Sequence, residues 1–384
     1  MYYSNALNGS DLPAKTLCLT FDDGPGNHTL AIARFLFENH IRATFFVVGK
    51  YAFHHPEILA ELKSINHLIG NHTYDHPDMP VYLSVDGDVI DQVLRTDALI
   101  KPYIDQEIYF RPPYGKWSAE VANELNQSML TANHVGPIHW EIAGVDCYYW
   151  QNNWSVADAA VRYLNDIEQH NHGIVVMHDD VSDMDVVKAK NQTLELLQIL
   201  VPQLLERGYR FVRLDEIPSI KEASAQKDLF TLCSQKGKYV SLKNQADLVA
   251  DGRVSDPQNV LQLHNLGYGK IAVKAANQLF LSIGDADTLS AKNTEITAEA
   301  TFDLIPVNAR KLMLRATNGH FLTIEKNGTL SSSAQYMRQA AVFRYANHNN
   351  IVRQKTTFKK RLHLIKRQLL FIKSKLQQKI QATN

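Results

Sequence analysis

The strongest constraint on this chain is a short pattern that returns every 41 residues. Tyr239-Val-Ser241 recurs as Phe280-Leu-Ser282 and again as Phe321-Leu-Thr323, a step of 41 residues each time. Leu248-Val-Ala250 recurs at the same step as Leu289-Ser-Ala291 and Leu330-Ser-Ser332. Leu261-Gln-Leu263 does so as Phe302-Asp-Leu304 and Phe343-Arg-Tyr345. A fixed period of this size, held by three independent series, means stacked or symmetric units. Apolar positions alternate and Gly and Asn punctuate them, so each unit is built of strands. Three such units predict an all-β trefoil over 226–347. The competing arrangement is another small β-barrel or a sandwich.

Upstream the pattern changes. Short apolar runs at Thr16–Phe21, Ala43–Val48, His67–Ile69, Ile108–Phe110, Ile138–Ile142, Ile174–Met177 and Arg210–Leu214 alternate with helical patterns near 28–40, 54–64, 84–101, 118–132, 155–170 and 191–207. Strand-helix alternation at this spacing implies a parallel sheet, open or closed. Six or seven such units predict an α/β fold of the irregular (β/α) barrel kind over 1–222. Chemistry-bearing residues stand where the runs end: Asp22 and Asp23 after the first, His72 and His76 after the third, then Arg111, Asp146 and His178. In parallel α/β folds the active site gathers at the carboxyl ends of the strands. Taken singly each has a plain reading: a helix cap at Asp22-Asp23-Gly24, a core histidine at His178, a structural ion pair at Arg111. Their joint placement at strand ends predicts a site. On a helical turn His72 and His76 would share a face and could bind one metal ion.

These elements resemble the polysaccharide deacetylases of the NodB-homology type, carbohydrate esterase family four. The matching stretches are Thr20-Phe-Asp-Asp-Gly-Pro25, His72-Thr-Tyr-Asp-His76-Pro77, Arg111-Pro-Pro-Tyr-Gly115 and Ile174-Val-Val-Met-His178-Asp179, in the family's order. The resemblance covers about 16–217. It implies a divalent metal, Zn²⁺ first and Co²⁺ second, held by Asp23, His72 and His76. It implies Asp22 as general base, His178 as general acid and Arg111 as the group that holds Asp22. It further implies the Tyr114 N–H as an oxyanion donor, an acetylated glycan as substrate, and Pro113 among the residues near it. One motif departs from the family's Asp-x-x-Asp-Trp. In one register Asp146 is the first Asp, and Tyr149 and Trp150 follow. In the other, Asp146 is the second, Ala143 replaces the first, and Cys147 replaces the Trp. The lead-in Gly136-Pro-Ile-His-Trp140 favours the second register, which keeps Asp146 to orient His178. Tyr148, Trp150 and Trp154 are candidates for stacking on sugar or for ordinary packing. The repeat region resembles the fascin-like trefoils more than the ricin-type lectins, and its sequence names no ligand.

The competing functions are weaker. A non-haem iron oxygenase would use two histidines and a carboxylate but has no need of Asp22, Arg111 and His178. A glycosidase would not need the histidine pair. A binding or scaffold protein with a degenerate barrel would not keep all five of Asp22, Asp23, His72, His76 and His178. An O-acetyl esterase remains an alternative within the family's chemistry.

Charge separates the tail from the rest. From Ile351 to Asn384 there are ten Lys/Arg and no Asp/Glu, leaving 30 basic and 40 acidic residues elsewhere. A mildly acidic body gives no reason to expect nucleic acid as a partner. Phe358, Leu362, Ile365, Leu369, Ile372, Leu376 and Ile380 form one apolar stripe, which predicts a basic amphipathic helix over 348–384. Its expected partner is an anionic membrane surface or a second copy of the stripe. Cys18, Cys147 and Cys233 make no disulfide framework and read as reduced thiols. The start of the chain has no basic or apolar signal region. The expected location is the cytoplasm, at the membrane surface where the tail engages it, unless a leader has been removed.

Overall fold

The structure is a computed structural model that describes residues 2–105, 107–131, 133–142, 145–180, 184–226, 229–253, 256–267, 269–284, 287–308 and 310–347. The predicted tail helix over 348–384 lies outside the described residues. The chain divides into two compact units, the second beginning at Leu229.

The first unit is α/β. Its strands are β1 (Tyr2–Leu7), β2 (Thr16–Asp22), β3 (Thr44–Val47), β4 (Leu68–Asn71), β5 (Ile108–Tyr109), β6 (His134–Ile138), β7 (His172–His178) and β8 (Arg210–Phe211). One sheet runs β4-β3-β2-β7 with β8 on β2, the other β1-β6-β5, and every pairing is parallel. A parallel bridge of Asn71 to Phe110 links the two sheets, and Ile142, beyond β6, bridges in parallel to Val175 of β7. Every residue of β2 is buried, as a strand covered on both faces requires. Leu17, Leu19 and Phe21 pack on one side with Phe45, Ile32, Leu36 and Leu200. Cys18 packs in a second cluster with Phe46, Tyr109, Ile174 and Ile220.

Helices Thr29–Glu38, Pro56–Ser64, Val89–Ile100, Ala119–Asn126, Val156–His170 and Thr193–Glu206 fill the connections. Ser118 and Ser155 cap two of them, accepting the N–H of Val121 and of Asp158. The helix expected near 84–101 starts later, at Val89–Ile100 under an Asp88 cap, and a separate short helix, Met79–Ser84, capped by Asp78, precedes it. The sequence reading also misses β1 and the helix Pro218–Gln226. β1 is held by Asn126, whose side chain accepts the Tyr2 N–H at 2.8 Å and donates to the Tyr2 carbonyl at 2.6 Å. Ile220 and Ala223 are buried in the second cluster, so the first unit extends past the 222 expected as its limit.

The second unit is an all-β, barrel-like sheet. Its strands are β9 (Leu229–Ser234), β10 (Tyr239–Lys243), β11 (Asp247–Gly252), β12 (Leu261–Gly267), β13 (Lys270–Lys274) and β14 (Phe280–Ile283). They continue as β15 (Leu289–Asn293), β16 (Phe302–Asn308), β17 (Lys311–Ala316), β18 (Phe321–Ile324), β19 (Leu330–Ala334) and β20 (Phe343–Asn347). Six of them pair in a closed ring, β9-β12-β13-β16-β17-β20-β9. The other six form hairpins β10-β11, β14-β15 and β18-β19. These hairpins meet one another at Asp247 with Ser290, Val249 with Thr329 and Thr288 with Ser331. The repeated aromatic Tyr239, Phe280 and Phe321 open the hairpins and are buried; so are Leu261, Phe302 and Phe343 on the ring.

One buried histidine of the first unit has a consequence for stability. His67 Nδ1 accepts the Ala43 N–H at 3.0 Å, and Nε2 donates to the Ala33 carbonyl at 3.0 Å. That pairing fits the neutral ring, because a second ring proton would face an N–H. Burial pushes the pKa down from 6.5 to about 4. Between these values the unfolded chain binds a proton that the folded chain excludes. The stability from this group is therefore full above pH 6.5 and is lost as pH falls toward about 4. The loss approaches roughly 3 kcal/mol, at about 1.4 kcal/mol per pH unit. Urea midpoints of the wild type should fall more steeply from pH 7 to 5 than those of His67→Gln. Parallel pH dependence in both proteins would contradict the assignment.

Candidate active site

Strand register brings the reactive residues to one edge. Asp22 lies beside both Phe46 and His178, and Phe46 lies beside Gly70. β4 and β5 then deliver His72 and Arg111 just past the bridge of Asn71 to Phe110. Asp22, Asp23, His72, His76, Tyr114 and His178 line one pocket, together with Trp140, Cys147, Val176 and Met184.

His72 and His76 are not on a helix. They follow β4 in a turn in which Thr73 and His76 take φ of 68° and 64°. The reversal brings the rings to 5.0 Å between centroids, a proximity that helical spacing would also have produced. Asn71 steadies the turn: its Oδ1 accepts the Thr73 N–H at 2.8 Å, while its Nδ2 donates to Asp97 Oδ1 at 2.8 Å. Asp23 Oδ1 lies 3.0 Å from His76 Nε2 and 3.5 Å from His72 Nε2. The three donors lie within 4.8 Å of one another, and all three residues are buried. Tetrahedral coordination at bonds of about 2.0–2.2 Å separates ligands by roughly 3.3–3.6 Å, so this set fits a divalent metal. His72 Nδ1 donates to the Arg111 carbonyl at 2.7 Å, which turns Nε2 toward Asp23. Burial pushes the Asp23 carboxyl up, but hydrogen bonds from His72 and His76 outweigh it and hold the pKa well below the usual range. Asp23 itself has φ of 77°, a left-handed conformation that a non-glycine residue adopts at some cost. Gly24 follows because Asp179 lies against it: a Cβ there would sit 2.1 Å from Asp179 Oδ2.

Asp22 is held from the opposite side. Arg111 is fully buried, and its Nη1 donates to Asp22 Oδ1 at 2.7 Å and to Thr20 Oγ1 at 2.8 Å. Its Nε donates to the Ile138 carbonyl at 3.2 Å, and the guanidinium lies over the Phe46 ring at 4.2 Å. The other Asp22 oxygen, Oδ2, is 3.9 Å from His72 Nε2.

His178 is held by Asp146. Its ring Nδ1 donates to Asp146 Oδ1 at 2.9 Å and its backbone N–H to Asp146 Oδ2 at 2.7 Å. Thr193 Oγ1 adds a bond to the same carboxylate at 3.3 Å. Burial pulls the His178 pKa down, but Cys147 and Asp146 beside it more than reverse this and hold it well above the ordinary histidine range. The geometry favours the register that makes Asp146 the second carboxylate of the fourth motif. Ala143, the first position of that register, lies outside the described residues. Cys147 then occupies the Trp position and lines the pocket.

Three sequence expectations change. Trp150 is 1% exposed, packs in the main core and donates toward Thr193 Oγ1 at 3.4 Å, so it presents no face to sugar. Pro113 is buried in the turn whose left-handed residue, Tyr114 at φ of 57°, carries its ring into the open. Tyr148 is exposed but packs edge-on against Trp154 and is not among the residues lining the pocket. Trp140 and Met184 were missed as pocket residues. Trp140 sits at the end of the run that supplied the fourth-motif register, and that position was the available signal. Met184 follows a stretch with no periodicity to place it.

The family model described as polysaccharide deacetylase matches residues 9–132, and the one described as fascin domain matches 220–304. A chitooligosaccharide deacetylase of Sinorhizobium fredii is 30% identical over 218 residues, covering 54% of this chain and 94% of that protein. One from Rhizobium leguminosarum bv. trifolii is 29% identical over 211 residues, covering 52% and 90%. A peptidoglycan-N-acetylglucosamine deacetylase of Bacillus cereus is 28% identical over 210 residues, covering 53% and 88%.

Proposed function

We propose, from the premise that this chain belongs to the polysaccharide deacetylase family and is an enzyme acting on N-acetyl groups of glycans, that it is a metal-dependent N-deacetylase of chitin-type oligosaccharides. The observation that carries this reading is the convergence on one pocket of Asp23 with His72 and His76, of Asp22 on Arg111, and of His178 on Asp146. On the same reading the first unit is the family's irregular barrel and the second a fascin-like trefoil.

Asp23, His72 and His76 would hold the ion, and two imidazoles with a carboxylate suit Zn²⁺ best. When bound, it supplies Lewis acidity toward the amide carbonyl and acidifies water. Asp22 takes the proton of the attacking water, with Arg111 fixing Oδ1 so that Oδ2 faces the pocket. The Tyr114 N–H donates to the oxygen on which negative charge develops. His178 gives its proton to the departing amine nitrogen, and Asp146 stabilises the charged ring before transfer. Acetate and a free amino sugar leave.

The raised His178 pKa has a signed consequence. The acid form persists above neutrality, so the limb set by this group lies on the alkaline side. Asp146→Asn removes the charge that favours imidazolium, so the alkaline limb of kcat should move to lower pH. A limb that stays in place would remove Asp146 from this role.

Substrate class is tested with chitin oligosaccharides, peptidoglycan fragments and O-acetylated xylan, reading acetate and free amine separately. The expected result is equal acetate and amine from chitin oligosaccharides. Acetate without amine, or release from xylan alone, would overturn the N-deacetylase reading.

A further inference from the structure

We propose that Asp146, Cys147 and His178 form a second divalent-cation site, of zinc-class chemistry, whose occupation switches the enzyme off. Their donor atoms lie within 4.8 Å of one another. A tetrahedral ion with bonds of about 2.0–2.3 Å separates its ligands by roughly 3.3–3.8 Å, so a small side-chain contraction closes the set. Thiolate, imidazole and carboxylate together suit zinc and its softer relative cadmium better than magnesium or calcium.

The site is reachable. Cys147 and His178 are part exposed and both line the pocket that Asp23, His72 and His76 line from elsewhere. Met184 lines it too. The remaining thiols, Cys18 and Cys233, are 0% and 2% exposed. The two triads share no residue, so both can fill at once.

Occupation is incompatible with the work assigned to His178. The ion displaces the thiol proton of Cys147 and the ring proton that His178 shares with Asp146, and both leave to solvent. The ring then keeps only its Nε2 proton, as neutral imidazole rather than imidazolium, and is a far weaker acid toward the departing amine. The inhibition rests on the deacetylase reading above; the binding does not.

The test uses the full chain, stripped of metal and titrated with Cd²⁺. The ultraviolet thiolate-to-Cd²⁺ charge-transfer band and the binding stoichiometry are the readouts. The wild type should bind two ions, with the band appearing on the second and weaker one. Cys147→Ser should bind one ion and show no band. Asp23→Asn should lose the first ion and keep the band, so failure of the first site is seen separately from failure of the second. In activity, the second equivalent should inhibit the wild type roughly 10²-fold, the scale of a lost general acid. Cys147→Ser, scored against its own maximum, should show no such fall. A band retained in Cys147→Ser, or one ion bound by the wild type, would overturn the proposal.

Discussion

Asp22→Asn is expected to keep its metal through Asp23, His72 and His76 while turning over glycan roughly 10²–10⁴-fold more slowly. The two neighbouring carboxylates differ in what surrounds them. Asp23 faces two imidazole nitrogens at 3.0 and 3.5 Å. Asp22 faces a guanidinium at 2.7 Å on one oxygen and, on the other, an imidazole nitrogen no closer than 3.9 Å. A ligand must offer its lone pair to the ion, and Asp23 does so; a base needs a fixed carboxylate with one oxygen free to face water, and Asp22 meets that requirement. The amide introduced by the substitution still accepts from Arg111 but cannot take a proton at neutral pH. Metal content by elemental analysis, beside kcat, separates the roles. If Asp22→Asn lost the metal and Asp23→Asn kept it, the assignments would be reversed.

Arg111→Leu is expected to destabilise the first unit by about 3–5 kcal/mol, the cost of leaving a buried charge without its partner. Arg111 is 0% exposed, and its bonds reach Asp22, Thr20 and the Ile138 carbonyl, residues from β2 and β6. Leucine fills part of the volume but satisfies none of these acceptors. Arg111→Lys should recover part of the loss, since one ammonium can meet Asp22 but cannot span the fork. Urea unfolding at fixed pH reads both. A loss below about 1 kcal/mol for the leucine variant would place the pair among weak, solvent-screened ones.

Much of this site was legible because function in a parallel fold is written at strand ends. The runs Thr16–Phe21, His67–Ile69 and Ile174–Met177 could be found from hydrophobicity alone, and the register then aligned the residues that follow them. The 41-residue repeat likewise announced its ring and hairpins, since each copy must bury the same face. What escaped depended on tertiary contact. The turn that folds His72 onto His76 uses positive φ at Thr73 and His76, where no glycine signals it, and Asn71 is what holds it. Sequence alone leaves Trp150, like Tyr148 and Trp154, between stacking on sugar and ordinary packing. Yet within helix Asp146–Gln151 the face carrying Asp146 and Trp150 turns inward, as spacing of four residues permits. β1 escaped because Tyr2–Leu7 alternates weakly and gains its order from Asn126 and β6.

The central claim is that Asp23, His72 and His76 hold the ion on which deacetylation depends. The most direct measurement strips the full chain with a strong chelator, verifies the absence of metal, and titrates Zn²⁺ back while following amine release from a chitin oligosaccharide. The account predicts no activity in the stripped protein, recovery complete at one equivalent, and no recovery in His76→Ala at that concentration. Full activity in verified metal-free protein, or equal recovery in His76→Ala, would contradict it.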